Sequence, residues 1–387
     1  MNIKKRFTSE RSRYLLWLIA SILLLGLFPL LGPLLRGESL WKYFEFPPIT
    51  VYVSHPKENI TVFVLGVLFF FLLLLLILLR LISSGLKTLP KRIKSPPCWS
   101  YAGVILLALS WCIAWNGSPV FECIRPFYFF PLWSGFILFL NGICEVFNRQ
   151  CPIRQNPVGF FLLFPTSACF WWYFEYLNRF CQNWHYLGVE HFSPLEYSLL
   201  ATLAFSTVLP AVVSVAAVLE VFFDFKSAFG KKVCHPATSG QKVSIILLIL
   251  SGAGMVALGF WPEFFFPVIW LSPMLTMLSV EKIIKGHGML DDFLQGRWEQ
   301  FLKYAISGLV CGFFWEMWNF KAWPKWIYMI PYVGQFKIFE MPLLGYAGYL
   351  PFGVECGFVA SIVLSFNDKS FGVPDGISKN AQSGTYS

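Results

Sequence analysis

Apolar residues in this chain come in long blocks, separated by short charged or turn-rich stretches. Val62 to Leu79 carries no charge, and its centre, Phe69 to Leu76, is pure hydrocarbon. A run of 18 or more uncharged apolar residues is the signature of a membrane-spanning helix. Ten such blocks can be drawn, at roughly 14–35, 61–82, 100–116, 131–147, 157–177, 197–222, 243–260, 264–280, 303–320 and 341–365. The pattern predicts an all-α fold, a polytopic transmembrane helix bundle with membrane lipids as its surroundings. The first block follows Lys4, Lys5, Arg6, Arg11 and Arg13, as a signal peptide would. It continues through Pro29 and Pro33 to Arg36 with no Ala-x-Ala cleavage site, so it is expected to stay in the bilayer as a signal anchor.

The basic residues test the span count. With a cytoplasmic N-terminus, 22 of the 30 Lys and Arg fall on the inner side. Positive charge collects in cytoplasmic loops, so the asymmetry predicts an even number of spans and cytoplasmic N- and C-termini. The expected location is the plasma (inner) membrane. The strongest single anchor is Lys87, Lys91, Arg92 and Lys94 after the second block. The stretch 367–387 is polar and Gly/Ser-rich and is expected to be a disordered cytoplasmic tail.

Composition agrees with this pattern. The chain is 56% hydrophobic and 13% charged, whereas a soluble domain is about 25% charged. A net charge of +9 could suggest nucleic acid. The basic residues nevertheless sit in short clusters between apolar blocks, not on one basic face, and no nucleic-acid partner is expected. The ten cysteines show no Cys-x-x-Cys pair. Cys112, Cys144, Cys169, Cys311 and Cys356 fall inside apolar blocks and read as small buried apolar residues. The five histidines lack His-x-x-His or His-x-x-x-His spacing, so neither a metal nor another cofactor is expected.

Two stretches repeat in order and spacing. Pro126–Pro131 with Glu145 matches Pro262–Pro267 with Glu281. Further on, Phe174-Glu175…Asn178 matches Trp315-Glu316…Asn319, and Trp184-His-Tyr186 matches Trp326-Ile-Tyr328. Glu196 and Glu340 follow. The offset stays between 136 and 144 residues. The expected organisation is a two-span segment, 1–97, then repeat one over 98–225 and repeat two over 240–366, each of four spans. An even span number gives both copies one orientation, related by an axis along the membrane normal.

The candidate chemistry lies in these repeats. Charge within a bilayer is costly, which makes an intramembrane carboxylate a functional candidate. Glu175 with Asn178, and Glu316 with Asn319, are three apart and share a helix face. Trp184, Tyr186, Trp326 and Tyr328 follow in the next outer loops, as candidate substrate-binding residues beside the two asparagines. Glu196 and Glu340 open the next spans, and Glu355 lies deep in the last one. The candidate catalytic set is therefore Glu175, Glu196, Glu316, Glu340 and Glu355. Structural readings compete. A Glu–Asn pair serves as interhelical glue, Trp and Tyr anchor span ends, and Glu complements a helix start.

The order of an acidic residue, Trp-x-Tyr and then Pro194-Leu195-Glu196 resembles the repeat of the membrane-integral lycopene cyclases of the carotenoid pathway. The second Glu of that family's Pro-x-Glu-Glu motif is missing here. In the other copy the proline, Pro342, follows Glu340. The resemblance implies cofactor-independent cyclisation or isomerisation, in which a carboxylic acid protonates an alkene and aromatic faces stabilise the cation. Three classes stay open: a lipid- or isoprenoid-modifying enzyme with a hydrophobic small-molecule substrate, a transporter or flippase with its site between the repeats, and a non-catalytic scaffold. Pro210 and Pro351 could break the sixth and tenth spans. Oligomeric state is left open.

Overall fold

The computed structural model describes residues 3–48, 50–90, 93–147, 151–230 and 240–365. The expected disordered tail, 367–387, and two residues of the basic anchor, Lys91 and Arg92, lie outside them. The described chain is almost entirely helical. Its long helices are α1 (Ile3–Leu27), α2 (Ile60–Ser84), α3 (Cys98–Trp115), α4 (Phe129–Val146), α5 (Pro157–Cys181), α6 (Pro194–Phe205), α7 (Val208–Phe222), α8 (Gly240–Phe260), α9 (Val268–Lys285), α10 (Glu299–Asn319) and α11 (Tyr349–Leu364). Two short strands, β1 (Trp184–Leu187) and β2 (Lys325–Tyr328), pair antiparallel, and a smaller pair joins β3 (Lys337–Ile338) to β4 (Met341–Pro342).

Among the described residues, eight segments are long and apolar enough to cross a bilayer: Ser12–Leu35, Ile60–Ser84, Cys98–Trp115, Arg125–Val146, Pro157–Cys181, Pro194–Phe222, Gly240–Phe260 and Leu343–Leu364. The chain is a multi-pass integral membrane protein. The clearest case is α2, with a mean hydropathy of 3.5 and only 11% of its most apolar window buried in the protein. Phe69, Leu72, Leu75 and Leu76 all point outward, and water would not tolerate so large an apolar face. Asn59 caps this helix by accepting hydrogen bonds from the backbone N–H groups of Thr61 and Val62.

The other two expected spans form helices of membrane-spanning length, α9 and α10, that fall outside the eight. Charged and polar residues lower their hydropathy. Glu281, Lys282 and Lys285 close α9, while α10 holds Glu299, Lys303 and Glu316. Both pack inside the bundle, α9 against α1, α8 and α11, and α10 against α7 and α11. A helix covered by its neighbours need not match the apolarity of lipid.

The sixth span is broken where Pro210 predicts a break. Proline has no N–H for the carbonyl of Ser206, and α6 ends at Phe205 while α7 begins at Val208. Ser167 of α5 enters the gap. Its hydroxyl donates to the Phe205 carbonyl (2.5 Å) and accepts the Leu209 N–H (3.1 Å). The tenth span is likewise divided. A 3₁₀ segment, Leu343–Gly348, leads into α11, and Pro351 is the third residue of α11 just as Pro210 is of α7.

Helices α10 and α11 cross with no room for side chains between them. A Cβ on Gly308 would lie 2.6 Å from Gly353 Cα, and one on Gly353 would lie 2.2 Å from the Tyr304 carbonyl oxygen. One turn along, Gly312 leaves space for the Tyr349 ring. Small residues four apart on both helices permit this approach. The reading of the cysteines needs one correction. Cys144, Cys311 and Cys356 are buried, but Cys112 and Cys169 are exposed on the outside of the bundle, where an apolar thiol meets lipid instead of core.

Candidate functional site

The strands β1 and β2 meet at one end of the bundle. Trp184 pairs with Tyr328, His185 with Ile327, and Tyr186 with Trp326. A shift of 142 residues carries the first of these pairs onto the third and returns the middle pair to itself. The ladder therefore draws together the two Trp-x-Tyr elements that lie far apart in sequence.

Beneath each strand sits a buried glutamate. Glu175 Oε1 accepts hydrogen bonds from Tyr186 Oη (2.6 Å), Trp171 Nε1 (2.9 Å) and Trp184 Nε1 (3.1 Å). Glu316 Oε1 accepts from Tyr349 Oη (2.5 Å) and Tyr328 Oη (2.7 Å), while Trp326 Nε1 donates to the Tyr328 oxygen (2.9 Å). The second carboxylate oxygen of each is buried without a hydrogen-bond partner among the described residues. In both clusters the strand tyrosine donates to the carboxylate of the preceding helix; the strand tryptophan donates to that carboxylate in the first and to the tyrosine oxygen in the second. Burial, and then the neighbouring carboxylate, push the Tyr186 and Tyr328 phenols well above their usual range, so each stays a hydroxyl donor at any ordinary pH.

The third donor differs between the clusters. Trp171 lies four residues before Glu175, and the corresponding position before Glu316 is Gly312. The space freed by that glycine is filled by Tyr349 from the next helix. Both solutions supply an aromatic donor to the same oxygen.

Asn178 and Asn319 hold the strands and do not line the chamber that the strand aromatics face. Asn178 Nδ2 donates to the Trp184 carbonyl (2.9 Å), and its Oδ1 accepts from the backbone N–H of Asn183 (2.8 Å). Asn319 does the same for Trp326, at 2.7 Å and 2.9 Å. Each is fully buried and fixes the start of its strand over its own glutamate.

The strand aromatics face a chamber of about 830 Å³, within the usual range for a small-molecule site. Its wall includes Trp171, Trp184, Tyr186, Trp270, Trp326, Tyr328 and Tyr349. Trp270 stacks on Trp184, with ring centroids 5.8 Å apart. The broken regions of both divided spans also contribute, through Phe205 and Val208 and through Gly348 and Tyr349.

The structure brings together part of the expected set. Trp184, Tyr186, Trp326 and Tyr328 line the chamber, with Glu175 and Glu316 directly behind them. Glu196 is elsewhere. It is exposed and closes a capping box, accepting the Ser193 N–H (2.8 Å) while Ser193 Oγ accepts the Glu196 N–H (3.3 Å). Glu340 forms an ion pair with Lys325, a residue of the chamber wall. Glu355 is wholly buried in α11 beside Tyr173 and the Met274 backbone, and it does not line the chamber. The residue 141 positions earlier is Ser214, which accepts a hydrogen bond from Asn141 (2.8 Å).

Sequence reasoning missed Trp171, Trp270 and Tyr349. The i, i+4 spacing of Trp171 and Glu175 was a usable signal. Tyr349 was signalled only indirectly, by a glycine four residues before Glu316 where tryptophan stands four residues before Glu175. The chain has no significant match among protein-family models, curated proteins or solved structures.

Proposed function

We propose that this protein is a membrane enzyme acting, without a cofactor, on an apolar lipid- or isoprenoid-class molecule held in the aromatic chamber. The observation that carries this reading is the pair of buried carboxylates, Glu175 held by a tyrosine and two tryptophans and Glu316 by two tyrosines, all of them walls of one chamber. Aromatic faces favour cationic species, and a buried carboxylate behind them adds to that field in a medium of low dielectric. An isomerisation or cyclisation suits such a wall. In the acid form the hydrogen bond reverses, Glu175 donating to the Tyr186 oxygen, and Glu175 passes its proton to that oxygen as the Tyr186 hydroxyl proton moves to an alkene carbon. The π pair becomes the new C–H bond, and the cation rests against the aromatic faces. Loss of a proton from a neighbouring carbon restores a double bond and returns the proton to the relay. Glu316 with Tyr328 and Tyr349 offers the same relay beside it, on the paired strand and α11. This is also the chemistry that the cyclase resemblance implies.

The two halves are best read as a duplication. Support comes from the matched donor sets, the self-consistent strand register and the equivalent prolines of α7 and α11. Helix contacts match too: α3 with α4 and α8 with α9, α4 with α7 and α9 with α11, α7 with α10 and α11 with α5. The distribution of basic residues turns the ladder end outward and both termini to the cytoplasm.

A second reading, a transporter or flippase, draws on the breaks in the sixth and tenth spans at the chamber, since broken helices are a common feature of transport sites. One experiment separates the two. A deletion strain is complemented with wild type, Tyr186→Phe/Tyr328→Phe or Glu175→Gln/Glu316→Gln, and its lipids are profiled by mass spectrometry. The enzyme reading expects the tyrosine variant, folded and inserted, to accumulate an unconverted apolar precursor. A wild-type lipid profile and full complementation by both folded variants would overturn it.

A further inference from the structure

We infer that the chamber has a headgroup subsite for a phosphate-type anion, so that its ligand is an amphiphile with an apolar tail and an anionic head. This rests on the proposed function of the chamber and adds the chemistry of the ligand's polar end.

A second recess of about 550 Å³ adjoins the chamber, and Pro126 and Lys325 line both. The chamber wall is overwhelmingly apolar, whereas the recess carries Arg125, Lys321 and Lys325, with Ser118 and Glu122. Lys325 is neutralised by Glu340. Arg125 forms no ion pair among the described residues, and its Nε is buried with no hydrogen-bond partner. Lys321 is exposed, and its ammonium rests over the Trp115 ring, 5.5 Å from the centroid, with no ion pair among the described residues. Two cations thus face the recess against one exposed carboxylate, Glu122.

A partly buried guanidinium with an unsatisfied N–H is costly unless something accepts from it. Arginine is also suited to bidentate contact with a phosphate, and a lysine beside it adds charge. Basic residues are scarce on this side of the protein. Eight of the 30 fall in the loops assigned to it, and three of those eight gather in this recess. A tail lying among Trp184, Tyr186, Trp326 and Tyr328 would place its head at the common boundary formed by Pro126 and Lys325.

The test uses the purified full-length protein in detergent, with ligand binding followed by quenching of the chamber tryptophans. The probes are geranylgeraniol, geranylgeranyl monophosphate, short-chain phosphatidic acid with the matching diacylglycerol, and inorganic phosphate. The expected result is that a phosphate-bearing amphiphile binds about tenfold tighter than its uncharged counterpart, as one charge-assisted contact allows. That advantage falls below about threefold in Arg125→Gln and in Lys321→Gln, while binding of the alcohol is unchanged. Whichever amphiphile shows the larger advantage identifies the source, an isoprenyl phosphate or a membrane phospholipid. Equal affinity for the charged and uncharged ligands overturns the subsite and leaves the chamber reading standing. Equal affinity for inorganic phosphate alone overturns the tail-and-head form. If no apolar probe binds at all, the chamber reading fails and the subsite with it.

Discussion

Gly312→Ala tests whether the glutamate clusters depend on the helix crossing beneath them. A Cβ at position 312 would lie 2.2 to 2.5 Å from three atoms of the Tyr349 ring, against 3.4 Å or more for ordinary contact. The ring must therefore retreat by about 1 Å. Its hydroxyl is 2.5 Å from Glu316, and a shift of that size takes the pair beyond hydrogen-bonding range. Overpacking costs about 1–3 kcal/mol. Losing a hydrogen bond to a carboxylate costs about 1.5–3 kcal/mol. Replacing glycine by alanine inside a helix returns about 1 kcal/mol. The net destabilisation expected is about 1.5–5 kcal/mol on these terms. In a Tyr349→Ala background the ring is gone, and the same substitution should be neutral or slightly stabilising. The assay is a double-mutant cycle, with unfolding in mixed micelles followed by tryptophan fluorescence. If Gly312→Ala costs the same in both backgrounds, within about 0.5 kcal/mol, the coupling between the helix crossing and the cluster is refuted.

Two further outcomes follow from the same geometry. Glu175→Leu leaves the Trp171, Trp184 and Tyr186 donors unpaired, at about 1–3 kcal/mol each, a large share of the roughly 5–15 kcal/mol that holds a protein folded. It should give little folded protein in fluorescence-detected size exclusion, whereas Glu175→Gln, which keeps an acceptor, should fold; comparable yields from the two would count against the cluster. Glu196→Ala removes only the exposed half of a capping box, so a small loss of stability and intact complementation are expected; lost function at unchanged stability would return Glu196 to the site.

Much of this protein is legible in its amino-acid sequence. Lipid demands apolar blocks of fixed length, and those blocks stand in the sequence at α2 and α8 as plainly as a motif would. The prolines at 210 and 351 mark both broken spans, because a missing N–H disrupts a helix wherever it sits. The recurring Glu, Asn and Trp-x-Tyr point to the end of the bundle that holds the site. Their division of labour is not legible. Glu175, Glu196, Glu316, Glu340 and Glu355 look alike along a chain, yet two sit behind an aromatic wall, one caps a helix, one neutralises a lysine and one is sealed inside α11. What separates them is the set of neighbours each meets, and apart from Ser193 at Glu196 and Trp171 at Glu175 those neighbours come from other segments of the chain. The same holds for Tyr349, which reaches Glu316 only because Gly312 lets α11 approach, and for Arg125, whose surroundings form only when the loop before α4 meets the loop after α10. Spans and breaks follow from local chemistry, and the sequence states them directly. A chamber and its charged recess arise from contacts between residues far apart in the chain, such as Asn59 and Tyr332, and only tertiary packing decides them.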